Sequence, residues 1–505
     1  MEPLDELDPL ATVFPEEDAP LQGLPPLGGS GQARANLRET PVPATRVPFP
    51  LDPVLAPVFR DFEQSGVRWC LLGLPEKESQ GADGADEEVV VLVDRSAFAT
   101  ARRVLKANGF APIPTWGRGP LARFVGYNPR GDRWVILDVA TRLAYGPNAE
   151  LETGAEGGCL ERRRWEGGVY VLAADDAFWT LLLHVLLDDP TLLGARPPVF
   201  AKTLERLAVE ARTEGPLGRV VASFLPERWS TEVLVDCVWD GDWDALERLA
   251  PVLAAAWGRE QEGAARRRDL ANRVLRHFSA RRLLPPPRGL SVALLGPEPA
   301  AKAALAEELG RTFYLPVTFM RMSPPPRSRG GKLTRAWLFV TLVTFWHRYL
   351  TGRQRRGKGR LVIFDRYTYD YRLPPAKPAR ALGKLRRLIL GRACPAPDVV
   401  VVLDDPTPPK VRKLRPDVPY ESVRQRYLDL AQRLPDAIVV EAPGSHEASD
   451  ESSHEAPDEA SHEASDGASM DTEHLRREIT AQLWRVYAAA PPTSWLLRLG
   501  SLLQR

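Results

Sequence analysis

The chain has 505 residues, of which 44% are hydrophobic and 26% charged, and its formal net charge is +1. That length is too great for one core and suggests about two to four domains. The balance is that of a globular protein, not a disordered or membrane one, and near-neutrality supplies no global field toward nucleic acid.

Residues 1–50 are rich in proline, glycine and acids without periodicity and read as a disordered tail. The opening Met-Glu-Pro-Leu-Asp-Glu-Leu is acidic where a signal peptide is basic, so a cytoplasmic protein is expected. Cys70, Cys159, Cys237 and Cys394 are too scattered for a zinc site or disulfide framework and read as core residues in a reducing compartment.

From residue 51 to 168 the pattern is that of a small α/β unit. A helix is expected over Val54 to Ser65, strands over Val67 to Leu72, Glu87 to Val93 and Arg133 to Val139, and a helix over Ser96 to Asn108. The run Trp69 to Gly73, Glu87 to Asp94 and Trp134 to Val139 resembles the core of nucleotidyltransferases of the DNA polymerase beta superfamily, which hold two metals with paired carboxylates on one strand and a third on a later one. The resemblance implies metal positions at Glu88, Val90 and Asp138. Val90 cannot bind a cation, and Leu74 stands where the family has the serine of a glycine-serine step, so only Glu88 and Asp138 remain as metal candidates. Asp86 and Glu88 also alternate, which leaves a shifted site open.

Residues 169–284 show apolar spacing of helical type, as in Phe178, Leu181, Leu182, Val185 and Leu186, and no comparable strand signal. Leu182 to Asp188 is similar to a helical appendage of the same nucleotidyltransferases, with His184 read as a core or capping histidine more readily than as a catalyst. The prolines at 285–287 then break the chain and mark a domain boundary.

Residues 288–442 and 475–490 are expected to form a second α/β domain. Leu290 to Leu295, Leu361 to Phe364 and Asp398 to Leu403 read as strands and Ala300 to Gly310 as a helix; the alternation implies a parallel sheet. Ala336 to Leu350 is the most apolar stretch, yet too short to span a bilayer, and reads as a buried helix, so no membrane partner is expected. An octad beginning Ser-His-Glu-Ala recurs at Ser445, Ser453 and Ser461, and residues 443–474 read as a flexible acidic insertion. Its histidines could bind a transition metal, though no fixed geometry holds them. A last helix is expected over Leu475 to Ala488.

The strand Ser291 to Leu295 runs into Gly296-Pro297-Glu298-Pro299-Ala300-Ala301-Lys302-Ala303-Ala304 and a helix, which places amide groups and a lysine where a phosphate would sit. This segment resembles the Gly-Pro-Asp-Gly-Ala-Gly-Lys-Ser-Thr loop of thymidylate-kinase-like P-loop proteins at Gly296, Pro297, Ala300 and Lys302. Asp365-Arg366-Tyr367 likewise resembles that family's Asp-Arg-aromatic motif, which implies Asp365 near a metal or acceptor hydroxyl and Arg366 near a phosphate; a strand-end ion pair is the plainer alternative. Arg412 and Arg415, with Lys410 and Lys413, look like the family's basic lid segment, or are a solvated basic face.

The departures from the family bear on chemistry. Pro299 has no N–H to offer a phosphate, Ala301 replaces a glycine, and Ala303 and Ala304 replace the hydroxyls that contact Mg²⁺. The expectation is therefore a nucleotide-binding or regulatory pseudoenzyme of the thymidylate kinase family. The alternative is an active nucleotide kinase using ATP and Mg²⁺ through Lys302, Asp365 and Arg366, with Gly296, Lys302, Arg412 and Arg415 holding the nucleotide. A third reading, nucleic-acid binding, draws on the cations from Arg321 to Arg360 with Trp337, Trp346 and Tyr349, and is disfavoured because those aromatics have the spacing of a core face.

Overall fold

The computed structural model describes residues 51–73, 87–188, 198–281, 284, 287–297, 299–325, 334–374, 381–404, 419–434, 437–441 and 460–490, all in the second of two compact units, 49–505. The expected tail and the first two octads, like Asp86, fall outside these residues.

The first sheet begins with α1 (Leu55–Gln64), whose Leu55, Val58, Phe59 and Phe62 form one buried face. Strands β1 (Trp69–Leu71) and β2 (Glu87–Val93) follow, then a 3₁₀ turn at Arg95–Ala97 and α2 (Phe98–Ala107). Next come β3 (Ala111–Ile113), β4 (Leu121–Asn128), β5 (Arg133–Ala140) and the short pair β6 (Ala144–Tyr145) and β7 (Leu151–Glu152). After α3 (Glu156–Arg162) a hairpin of β8 (Arg164–Glu166) and β9 (Val169–Val171) completes a seven-stranded mixed sheet ordered β3-β4-β5-β2-β1-β9-β8. The hairpin has its second strand, β9, where only helix was expected. Its two-residue turn is Gly167-Gly168, both at positive φ, the backbone that a tight hairpin requires and that only glycine adopts freely.

The middle is helical as expected. Helix α4 (Ala174–Leu183) runs into a π-helical turn, His184–Asp188, and is followed by α5 (Pro198–Ala208), α6 (Pro216–Phe224), α7 (Thr231–Asp240), α8 (Trp243–Glu260) and α9 (Glu262–Ala280). Cys70, Cys159 and Cys237 lie in its core, and all four cysteines are buried and free. Contrary to the core reading, His184 lies at the surface, where its Nδ1 meets Asp188 Oδ2 at 2.7 Å.

The second sheet is all parallel, built from β10 (Leu290–Leu295), α10 (Pro299–Thr312), β11 (Val317–Arg321), α11 (Thr334–Gly357), β12 (Leu361–Asp365), α12 (Ala381–Gly391), β13 (Val399–Asp404), α13 (Tyr420–Gln432), β14 (Ala437–Glu441) and α14 (Ala460–Ala489). Its order is β11-β12-β10-β13-β14. Every residue of β10, β12 and β13 is buried, as unbroken apolar runs in a doubly covered parallel sheet should be. Two helices differ from expectation. Helix α14 begins at Ala460, ahead of the third octad, and α11 buries only one side, so the reading of Ala336 to Leu350 as a buried helix is corrected: Phe339 and Trp346 are exposed.

One core joins the two sheets. Ala111, Val125, Trp134 and Ile136 of the first sheet cluster with Leu305 and Leu309 of α10 and Leu483 and Trp484 of α14, whose other neighbours include Leu290 and Val292 of β10. Polar contacts fix the docking: Trp134 Nε1 donates to the Thr312 carbonyl at 2.8 Å, Trp484 Nε1 to the Gly109 carbonyl at 3.2 Å, and Arg476 Nη1 to Asp132 Oδ1 at 2.9 Å. The helix that follows the turn at Gly296 is therefore held from behind by the first sheet.

Candidate functional site

In the second sheet the chain turns to one side of β10 through β11 and β12 and then crosses to β13 and β14, which makes the carboxyl end of β10 a topological switch point, where open α/β sheets place ligands. The strand ends bring together Arg321, Asp365, the turn at Gly296 and Asp404. Gly296 has φ +147°, and a Cβ there would lie 2.9 Å from the Leu403 carbonyl oxygen, so glycine is demanded by the neighbouring strand.

Lys302 lies in the second turn of α10 and is only 2% exposed. Its Nζ donates to the Gly296 carbonyl at 3.1 Å and pairs with Asp365 Oδ1 at 3.4 Å. Burial pushes the ammonium below the usual lysine range, and the charges of Asp365 and Asp370 oppose that shift. Asp365 receives a second cation, Arg321 Nε, 3.4 Å from Oδ2. Neither contact fully satisfies the carboxylate, since Oδ1 is buried without a hydrogen-bond partner among the described residues. Burial pushes the Asp370 carboxyl up, and this group accepts from the Tyr427 hydroxyl at 3.3 Å. Asp404 is gripped by Arg424, with Nη2–Oδ2 at 2.8 Å and Nε–Oδ1 at 2.5 Å.

Arg366 differs from these residues. It is exposed, and it sits at φ +58°, a left-handed conformation that costs a residue with a Cβ about 1–2 kcal/mol. Strain of this kind at the end of a buried strand turns the chain sharply and directs Arg366 to solvent while Tyr367 returns to the core.

Lys302, Asp365, Arg366 and Gly296 are thus brought to one place. Arg412 and Arg415, with Lys410 and Lys413, fall outside the described residues. The residues present do not suit Mg²⁺: the start of α10 offers Ala303 and Ala304, both exposed and without oxygen ligands, and Asp365 is already engaged by two cations. Among the described residues no group of three or more histidine, cysteine, aspartate or glutamate side chains could hold a metal.

In the first sheet the other two metal candidates also meet, around an arginine. Arg123 on β4 pairs in register with Asp138 on β5, and its Nε and Nη2 donate to Asp138 Oδ1 and Oδ2 at 2.8 and 2.7 Å. The same Nη2 reaches Glu88 on β2. Burial pushes the Glu88 carboxyl up, and Asp138 adds to that against the pull of Arg123. A guanidinium therefore stands between the two carboxylates where a cation would bridge them. Arg123 was legible in principle. Asn128, Pro129, Gly131 and Asp132 are turn residues, and a hairpin through them sets Arg123 opposite Asp138. Arg321 and Arg424 depend on sheet order and helix placement, which short spacings do not encode.

No family model matches the chain, and no curated protein matches it. Among solved structures, a thymidylate kinase from Candida albicans aligns with 37% of this chain and 94% of its own at 17% identity, with a TM-score of 0.23, a likeness too slight to carry an argument. The P-loop-like reading of the second sheet accordingly stands on its strand, turn, helix and lysine.

Proposed function

We propose that the second sheet is a P-loop kinase-like scaffold that no longer transfers phosphoryl groups and serves as a nucleotide-responsive or regulatory module. The observation that carries this reading is the position of Lys302. A phosphoryl-transfer lysine neutralises charge on the migrating group, whereas this one is buried, pairs with Asp365 and donates a hydrogen bond to the Gly296 carbonyl within the protein. The alanines at 303 and 304 and the missing N–H at Pro299 support it further. What the mouth of the site retains is positive charge, Arg366 and Arg321, which suits an anion held without metal. For the first sheet we propose that Glu88, Arg123 and Asp138 form a structural clamp.

Calorimetry of the full chain with ATP, ADP and nucleoside monophosphates, with and without Mg²⁺, tests this proposal. Weak or absent binding that ignores Mg²⁺, and no diphosphate formed from any acceptor, is expected. Micromolar Mg²⁺-dependent binding with turnover would overturn it and restore an active kinase.

A further inference from the structure

Helices α11 and α12 carry large apolar side chains left uncovered by the described residues. On α11, Phe339, Val343, Trp346 and Leu350 recur four, three and four residues apart, so they share one helical face, and they are 68, 51, 45 and 52% exposed. On α12, Leu382 and Leu385 are 82 and 53% exposed. The Arg386 guanidinium lies 4.0 Å over the Trp337 ring, which ties the first turn of α11 to α12. The exposed parts of the four α11 side chains, aromatics of roughly 150–250 Å² among them, match the largest apolar patch of an ordinary monomer, about 300–600 Å².

The charge around this face is one-sided. In a chain with 67 basic and 66 acidic residues, the described residues 334–364 hold seven arginines and lysines and no aspartate or glutamate, and residues 381–397 hold four and none. Arg353, Arg355, Lys358, Lys384 and Arg392 are exposed and have no carboxylate partner among the described residues.

We propose that this face rests on an anionic lipid surface. Aromatic and aliphatic side chains on one side of a helix with unpaired cations beside them are what an interfacial helix presents to the boundary between headgroups and acyl chains. Such cations each strengthen attraction to acidic lipid by roughly fivefold. A second copy fits less well, because two-fold packing would bring a carboxylate-free basic surface against itself. Nucleic acid could use the cations but offers nothing to Val343, Leu350, Leu382 and Leu385. Leu382 and Phe339 stand proud of the surface, which suits entry into a soft layer better than docking against a folded partner. No helix among the described residues is long and apolar enough to cross a membrane, and lying on one makes no such demand.

Co-sedimentation of the full chain with vesicles of phosphatidylcholine, with and without phosphatidylserine, at low and high salt, tests the proposal. The chain should pellet only with phosphatidylserine and less so in salt. Leu382→Ser with Leu385→Ser should weaken binding at least tenfold, as should Lys384→Glu with Arg392→Glu, with melting temperatures unchanged because these side chains are exposed. Three results overturn it: no phosphatidylserine-dependent pelleting, pelleting indifferent to the leucine pair, or a solution dimer that the leucine pair dissociates, which would give the face to a second copy.

Discussion

The two sheets each hold carboxylates at the positions where the sequence suggested metal or phosphate chemistry, and in both a basic side chain has closed on them. The closures differ in tightness. In the first sheet Arg123 grips Asp138 with two aligned hydrogen bonds from the adjacent strand. In the second, Lys302 and Arg321 each stand 3.4 Å from Asp365 and leave one oxygen without a hydrogen bond among the described residues. A strand-to-strand clamp fixes both partners by backbone register, while a helix-borne lysine depends on how the helix docks. The first site is therefore built to stay shut, and the second keeps slack that a ligand could exploit.

The largest effect should come from breaking the looser but more buried pair. Lys302→Ala leaves Asp365 charged, buried and facing only the exposed Arg321, which should cost about 3–5 kcal/mol. Adding Asp365→Asn should recover most of that loss in urea unfolding. If Lys302→Ala left stability untouched and instead removed a nucleotide response, the lysine would be facing ligand and the contrast between the sites would fail. Arg123→Ala leaves buried Asp138 without its cation but should cost less, about 2–3 kcal/mol, because the adjacent half-exposed Glu88, its pKa already raised, can take up a proton and relieve the pair. It should also create a site: Mn²⁺ should raise the melting temperature of Arg123→Ala but not of the unaltered chain. Equal Mn²⁺ effects on both would show that the arginine is not what excludes metal.

Much of the scaffold was legible because its strands are apolar runs bounded by breaks. Leu290–Leu295 and Glu87–Val93 have the expected ends. Strands β3, β4, β11 and β14 went unnoticed, since Ala111–Ile113 contains a proline and Val317–Arg321 alternates weakly. The strand–turn–helix at Gly296 followed from its residues, and so did the poverty of its metal ligands. The direction of Lys302 did not, for spacing places a lysine on a helix but not its ammonium relative to a carboxylate on another strand. Nor did the exposed side of α11 follow, because hydrophobicity alone cannot tell a core face from one awaiting a partner.

Asp176 shows what a buried carboxylate does when it lies outside either site and its cation is poorly placed. It is fully buried in the helical middle, with Arg162 Nη1 3.2 Å from Oδ2 and Oδ1 unpartnered among the described residues. Burial and the neighbouring Asp175 push its carboxyl up to about 6, against the attraction of Arg162. A carboxyl with a raised folded-state pKa binds its proton more tightly folded than unfolded, so its effect on stability is harmless below about pH 4 and grows unfavourable as pH rises through 6. Asp176→Asn removes the titration and should therefore be the more stable form at pH 7, by up to about 3 kcal/mol less whatever the Arg162 pairing contributed. The advantage should shrink toward zero by pH 4, read as converging melting temperatures across that range. A variant less stable at every pH would mean that Arg162 holds Asp176 as firmly as Arg123 holds Asp138, and that a single off-axis guanidinium is enough to close a buried carboxylate in this fold.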